Sequence, residues 1–293
     1  MKILVGHTGF VGSNLAGQQR FDGLYNSQNI AEAYGAKPEL LIYAGVRAEK
    51  YLANKEPEKD FSLIREAFTN IQKIAPQKVV LISTVDVYKN PRRVNEDTVI
   101  ETDGLQTYGL HRYQLEQMVA ASGLAYSIIR LPGLFGKNIK KNFIFDLINV
   151  IPAMLTENKM SELSAQDPQL LKYYQKLDNG FYKLQNPAPE LREMFKRLGF
   201  SAVNFTDSRA VFQFYNLEHL WQDICFALDK NISVLNLAAE PLAAAEIYAF
   251  RNEITQNPPY YDFRTKYTES GYFYSKKTVL AEIQNFLKEH KCN

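Results

Sequence analysis

Cysteine is almost missing from this chain: Cys225 and Cys292 are the only two in 293 residues. Cys225 falls within a helical pattern and Cys292 within the terminal tail, so neither a disulfide framework nor a zinc site is expected. His219, Glu218 and Asp223 have no metal-ligand spacing with other candidates, and no metal is expected. No run of about 18 apolar residues is present, which excludes a membrane-spanning helix. The N-terminus also lacks the basic, apolar and small-residue order of a secretory signal, because Gly6, His7 and Thr8 break its apolar run at once. Nor is there an excess of one charge. A net charge of +2, with aromatic residues spread along the chain rather than interleaved with a basic stripe, argues against a nucleic-acid partner. Internal repeats and low-complexity stretches are lacking. These absences together describe a cytoplasmic globular protein that binds neither membrane nor nucleic acid.

What is present is informative from the first residue. The apolar run Lys2-Ile3-Leu4-Val5 enters Gly6-His7-Thr8-Gly9-Phe10-Val11-Gly12 and then a helix-like segment, Ser13 to Gln19. A strand that ends in a glycine turn and feeds a helix aims free backbone N–H groups and the positive helix end at a pyrophosphate. Glycine lets the turn close, lets the phosphates approach the backbone and lets the helix lie near the strand. His7 reads as a loop residue.

Apolar runs at Gly23 to Tyr25, Leu40 to Ala44, Val79 to Ile82 and Ala125 to Leu131 read as buried strands, separated by helical spacing at Phe61 to Ile74 and Tyr108 to Ala121. Such alternation predicts an α/β fold with a Rossmann-like doubly wound parallel sheet, its ligand beyond the carboxyl ends of the strands. From Lys137 to about Phe205 no alternating strands are visible, and Pro152, Pro168, Pro187 and Pro189 punctuate short helices, as in an inserted helical cap. A strand over Val211 to Tyr215, a helix over Leu217 to Leu228 and an apolar run Val234 to Leu237 then return toward the sheet. Residues 257–263 read as an ordered loop and Lys277 to His290 as the final helix. The predicted division is 1–136 with 211–240 for the dinucleotide domain, and 137–210 with 241–293 for a smaller, mainly helical substrate domain.

Further segments follow in an order that resembles the extended short-chain dehydrogenase/reductase family, the sugar-nucleotide epimerases, dehydratases and reductases. They are Ile42-Tyr43-Ala44-Gly45, the Ser-rich strand end Leu81 to Tyr88, Tyr108-Gly109-Leu110-His111-Arg112 with Glu116 beyond, and Arg130-Leu131-Pro132-Gly133-Leu134-Phe135-Gly136. In the second half, Arg209 to Leu220 and Val234 to Glu246 are similar to the family's later strand–helix segments. The resemblance implies a nicotinamide cofactor, NAD or NADP, a nucleotide-sugar substrate, and a homodimer through a helix pair that includes the tyrosine helix. By resemblance the cofactor meets Gly6, Thr8, Gly9, Phe10, Val11, Gly12, Asn26, Ser27, Ala44, Gly45, Ser83, Tyr108 and Arg112. The substrate meets Asp86, Asn142 and Arg209. Asn26-Ser27 stands where related folds place an acid for the ribose, and amide and hydroxyl groups suit either cofactor.

Tyr108 and Arg112 are four residues apart, on one face of a helix. The family's tyrosine exchanges a proton with a sugar hydroxyl, a Ser or Thr orients that hydroxyl, and a lysine holds the ribose and lowers the tyrosine pKa. Here Thr84 takes the hydroxyl position and Arg112 replaces the lysine. Bringing a phenol from about pH 10 to neutrality takes roughly 4 kcal/mol. A cation about 4 Å away at an effective dielectric of about 20 supplies it, so Arg112 is expected to stabilise the Tyr108 phenolate and grip the ribose. Epimerisation or reduction is expected ahead of dehydration, because Asp86 shares a face with Thr84 only if the strand continues to it. Arg112, and Gly133 where many relatives carry Asn, motivate a rival: a dinucleotide-binding regulatory protein with reduced or no turnover. A reductase of a non-sugar carbonyl is a third reading, since the cap does not reveal its ligand.

Overall fold

The computed structural model describes residues 1–291, so Cys292 lies outside the described residues. The elements in chain order are β1 (Lys2–Val5), α1 (Phe10–Gln18), β2 (Gly23–Tyr25), β3 (Leu40–Tyr43), α2 (Lys50–Lys55), α3 (Pro57–Ile74), β4 (Lys78–Thr84), β5 (Arg92–Val94), α4 (Thr107–Ala120), β6 (Ala125–Leu131), β7 (Gly133–Phe135), α5 (Phe143–Ile148), β8 (Met154–Thr156), α6 (Glu157–Gln166), β9 (Tyr174–Lys176), β10 (Phe181–Leu184), α7 (Glu190–Arg197), β11 (Val211–Phe212), β12 (Phe214–Asn216), α8 (Leu220–Asp229), β13 (Val234–Asn236), β14 (Leu242–Ala243), α9 (Ala244–Ile247), β15 (Asp262–Phe263) and α10 (Lys276–Lys291). They fall into two compact units. The first comprises Met1–Ile139, Val211–Leu242 and Pro259–Glu282, and the second Lys140–Ala210, Ala243–Pro258 and Ile283 onward.

The first unit carries the predicted doubly wound sheet: six strands in the order β13-β6-β4-β3-β1-β2, every neighbouring pair parallel. Strands β1, β3 and β6 are mostly apolar because both faces are covered, whereas the edge strand β2, expected to be buried, leaves Leu24 exposed. Alternate residues go to opposite layers. Leu4, Ile42, Val80, Ile129 and Leu235 meet Leu15 of α1 and Leu220, Ile224 and Ala227 of α8. Ile3, Leu41, Val79 and Ile128 meet Ile64, Ala67, Ile71 and Ile74 of α3 and Leu115 and Val119 of α4. The chain leaves β1 for β2 on one side and crosses to β3 on the other, so the switch point of the sheet lies between β1 and β3.

The strand and the helix expected over 211–228 are corrected here. The strand over Val211 to Tyr215 is interrupted at Gln213, whose side-chain amide donates to the carbonyls of Ala239 at 2.5 Å and Phe263 at 2.8 Å and accepts from the Phe263 N–H at 2.7 Å. The helix after it begins as a 3-10 turn, Leu217–His219, and becomes α8 only at Leu220. Segment Pro259–Glu282 belongs to the first unit, with β15 parallel to β5.

In the second unit β8, β10 and β9 form a small antiparallel sheet, in the stretch where no strands were expected. Strands of three or four residues are too short for a period of two to show in sequence; pairing makes them. They pack with α6 and α7 over Leu155, Met160, Leu163, Leu191, Met194 and Phe195. Helices still dominate this unit.

Candidate active site

The glycine turn stands at the switch point. Gly6 has φ +91, and a Cβ there would lie 2.5 Å from the Ala44 carbonyl carbon and 2.7 Å from the Gly45 nitrogen. At Gly12 a Cβ would lie 2.1 Å from the Gly6 oxygen, which is how closely α1 leans on the end of β1. Gly9 is the N-cap of α1, without a side-chain cap and without an acid in the first turn. Helix α3, by contrast, opens with Pro57, Glu58 and Asp60. The first amides of α1, at Phe10, Val11 and Gly12, have no helical partner by geometry and meet no competing carboxylate. Thr8 is exposed beside them. His7 Nδ1 donates to the Tyr25 carbonyl, 3.0 Å away, in keeping with a loop role. At the end of β2, the Asn26 side chain accepts from the Gln28 N–H at 2.8 Å, and Ser27 is exposed.

Ser83 and Thr84 end β4, and the chain then turns through a 3-10 segment, Val85–Val87. The strand therefore does not reach Asp86, and the alternation argument for that residue fails. Its carboxylate pairs with Lys50 of α2 at 2.8 Å. The Thr84 hydroxyl accepts from the Asp86 N–H at 3.1 Å. Helix α4 rests on this turn: a Cβ at Gly109 would lie 2.0 Å from the Asp86 oxygen, so the residue after Tyr108 has to be glycine for the approach to be possible.

Tyr108 and Arg112 are both buried. The guanidinium carbon lies 4.0 Å from the centre of the Tyr108 ring. Nη1 donates to Asp60 Oδ2 at 2.5 Å and, more weakly, to the Tyr108 carbonyl at 3.5 Å, and Nη2 donates to the Arg47 carbonyl at 2.6 Å. Asp60, on α3, also meets His111 Nδ1 at 2.8 Å, which makes His111 a packed residue. The phenol of Tyr108 is pushed up to about 12 by burial; Arg112 opposes this, and Asp86 and Asp60 reinforce it. The expected lowering toward neutrality is not found, because burial outweighs the pull of the Arg112 cation, which Asp86 and Asp60 in part offset.

Ser83 donates to Glu116 Oε1 at 2.5 Å. Glu116 is in turn gripped by Arg130 through Nε at 3.0 Å and Nη2 at 2.6 Å, and Arg130 Nη1 donates to the Tyr88 hydroxyl at 2.8 Å. Sequence reasoning quoted Glu116 and Arg130 without a role and missed Asp60 altogether. Asp60 had a signal: it lies in register with Ile64, Ala67, Ile71 and Ile74, an acid on the buried face of α3. Gly133, read as a lost polar contact, has a packing reason. A Cβ there would lie 2.7 Å from the Gln213 oxygen, where β7 runs beside β12.

In the second unit, Asn142 has φ +105 and caps α5, its Oδ1 accepting from Ile144 at 3.0 Å and Phe145 at 3.2 Å. Arg209 forks onto Asp207 through Nε at 3.0 Å and Nη2 at 2.9 Å, with Glu253 3.1 Å from Nη1.

No family model and no curated protein matches the chain. Solved structures match it over nearly their whole length. A dTDP-4-dehydrorhamnose reductase from Bacillus anthracis, in complex with NADP, is 15% identical with a TM-score of 0.64, covering 98% of this chain and 97% of that one. The Bordetella bronchiseptica enzyme WbmG in complex with NAD is 13% identical, TM-score 0.63, with 99% and 95% covered. UDP-N-acetylglucosamine 4-epimerase from Bacillus cereus is 14% identical, TM-score 0.58, with 98% and 99% covered. The chain has their fold. No helix among the described residues is long and apolar enough to cross a membrane.

Proposed function

We propose that this chain is a cytoplasmic NAD(P)-dependent reductase or epimerase of a nucleotide sugar, in which Tyr108 exchanges the proton and Thr84 orients the reacting hydroxyl. The observation that carries the reading is the open N-terminus of α1, held against the end of β1 so closely that a Cβ at Gly6 or Gly12 would collide with backbone. A pyrophosphate fits that helix end: Phe10, Val11 and Gly12 offer amides, and no acid stands in the first turn. Asn26 and Ser27 present no carboxylate to repel a 2′-phosphate and no guanidinium to demand one, so both NAD and NADP are accommodated. When bound, a nicotinamide supplies hydride acceptance or donation. The chain's own contribution is a buried phenol that holds or releases a proton, and a threonine hydroxyl whose proton is free to be donated while its oxygen accepts from Asp86. The second unit is assigned the sugar nucleotide, with Asn142 and Arg209 toward its phosphates; there a phosphate takes the place of Glu253 on a guanidinium that Asp207 keeps oriented.

A specific observation favours a second reading, a dinucleotide-binding protein with reduced turnover: burial, which Arg112 paired with Asp60 does not outweigh, leaves Tyr108 a weak acid. A single-turnover absorbance experiment separates the two. Protein loaded with oxidised NAD or NADP is mixed with a panel of nucleotide sugars, and the reduced-nicotinamide band is followed. The band is expected in the wild type and suppressed about 100-fold or more in Tyr108→Phe. Equal bands in both would remove Tyr108 from the chemistry, and silence in the wild type with cofactor bound selects the second reading.

A further inference from the structure

Arginine at the position of the usual lysine raises a problem that the surrounding side chains answer. A guanidinium with a relative exposure of 5% keeps its charge and needs an anion. On this chain the anion is Asp60, itself buried, contributed by a different helix and shared with His111. Arg112 is then fixed on three sides. Asp60 takes Nη1, the Arg47 carbonyl takes Nη2, and the Tyr108 ring lies against its flat face. An ammonium could not fill this slot, because the slot uses a planar fork with two donors pointing apart and a face to stack.

We propose that Asp60 is the positioning residue of this site: it pins Arg112 against the Tyr108 ring and takes up its charge, so that the pair acts on Tyr108 as one neutral brace. The inference rests on the reading of Tyr108 as the proton-exchanging group. The charged and titratable groups around the phenol are Arg112 and His111 on α4, Asp60 on α3, and Asp86 on the turn after β4, the last paired with Lys50 of α2. With Asp60 in place the net charge beside the ring is close to zero. Without it the guanidinium acts as a free cation. Without Arg112 it is the carboxylate that stands alone, and the phenol is harder still to ionise.

Two measurements test this, one of which needs no turnover. In arginine-selective NMR the wild type is expected to show one guanidinium displaced by the tyrosine ring, with resolved, slowly exchanging Nη protons, identified by its loss in Arg112→Met. Asp60→Asn is expected to return that signal to the position of a freely rotating arginine, and Asp60→Glu to keep it. Survival of the pinned signal in Asp60→Asn, or no such signal in the wild type, overturns the proposal. The second measurement is the rate of hydride transfer at a fixed pH well below the ionisation of the phenol, where it scales with the acidity of Tyr108. Arg112→Met alone is expected to lower it about tenfold, and Asp60→Asn/Arg112→Met to restore it to within about threefold of wild type. If the double variant is as slow as the single one, Asp60 does not neutralise Arg112. Silence of the wild type with every sugar defeats the functional reading and leaves the NMR arm to decide the positioning role. The double variant removes both buried charges together, so it avoids the lone ion that makes single removals hard to fold.

Discussion

Glu116 and Arg130 are 2% and 4% exposed, and each is tolerated there because it is the other's counter-ion. Their pairing is more than a local bond. Glu116 receives Ser83 from the end of β4, and Arg130 on β6 reaches Tyr88, whose hydroxyl donates to the Asn95 carbonyl at 2.8 Å. The end of the strand that carries Thr84, already paired with β6 in the sheet, is thereby tied to α4 by side chains as well. Removing one partner leaves a buried charge uncompensated, so Glu116→Gln and Arg130→Met are each expected to lower stability by about 3–5 kcal/mol. The double change to Gln and Met is expected to cost well under the sum, which urea denaturation of the four proteins reads directly. Additive losses would mean that the pair is not a unit. In sequence, both residues were legible as members of motifs, but their partnership was not. They stand 14 positions apart on different elements, and only the parallel register of β4 with β6, Ser83 opposite Arg130, brings them beside one serine. Asp60 was less visible for the same reason, since its partners lie about 50 residues away.

Among the elements, β1, β3 and β6 of the first unit were legible because each is a short, mostly apolar run buried on both faces, bounded by glycine or polar turns. The strands of the second unit were not, since Met154–Thr156 exposes two of its three residues and owes its form to its partner. Helix α4 shows a different limit. Its buried face is made of Tyr108, His111, Arg112 and Glu116 beside Leu115 and Val119, so its amphipathic pattern is weak although its position is tightly fixed. What fixes it at the start is Gly109. Alanine there gains roughly 1 kcal/mol of helix propensity but places a methyl against the Asp86 carbonyl, at a distance no real contact allows. Gly109→Ala is therefore expected to destabilise by about 1–3 kcal/mol and to push Tyr108 away from the Thr84 turn. Gly17→Ala is the control. Nothing lies within 4 Å of a Cβ at Gly17, in the same kind of helical setting, so that change is expected to stabilise by about 0.4–1 kcal/mol. Thermal unfolding of the two variants beside wild type checks the opposite signs; a stabilised Gly109→Ala would show that α4 does not rest on the turn.

For the molecule as a whole, the charges that answer to pH pull stability in two directions. Asp207, drawn down by Arg209 and by backbone N–H groups, is held below its ordinary range, and so is Asp262, where bonds from Arg264 and Tyr272 outweigh burial. Groups of this kind contribute stability above the unfolded carboxylate pKa of about 4 and lose it as pH falls. Asp146 on α5 does the opposite. It sits among Phe143, Ile144 and Leu147, and burial pushes its carboxyl up to about 7. A carboxyl raised on folding supports stability fully below about pH 4, and that support is lost as pH rises through about 7. Asp223 is raised as well, by burial, although Tyr215 and Tyr274 donate to it. Stability is thus expected to be greatest in mildly acid solution and to decline toward pH 8. Asp146→Asn keeps the shape of the side chain and removes its ionisation. At pH 8 it should therefore raise stability by about 1–3 kcal/mol, while at pH 4 it should change little. Melting temperatures of the two proteins across pH 4 to 8 measure this. A constant difference at every pH would mean that the carboxyl does not titrate in this range, and the slope would then have to come from Asp223.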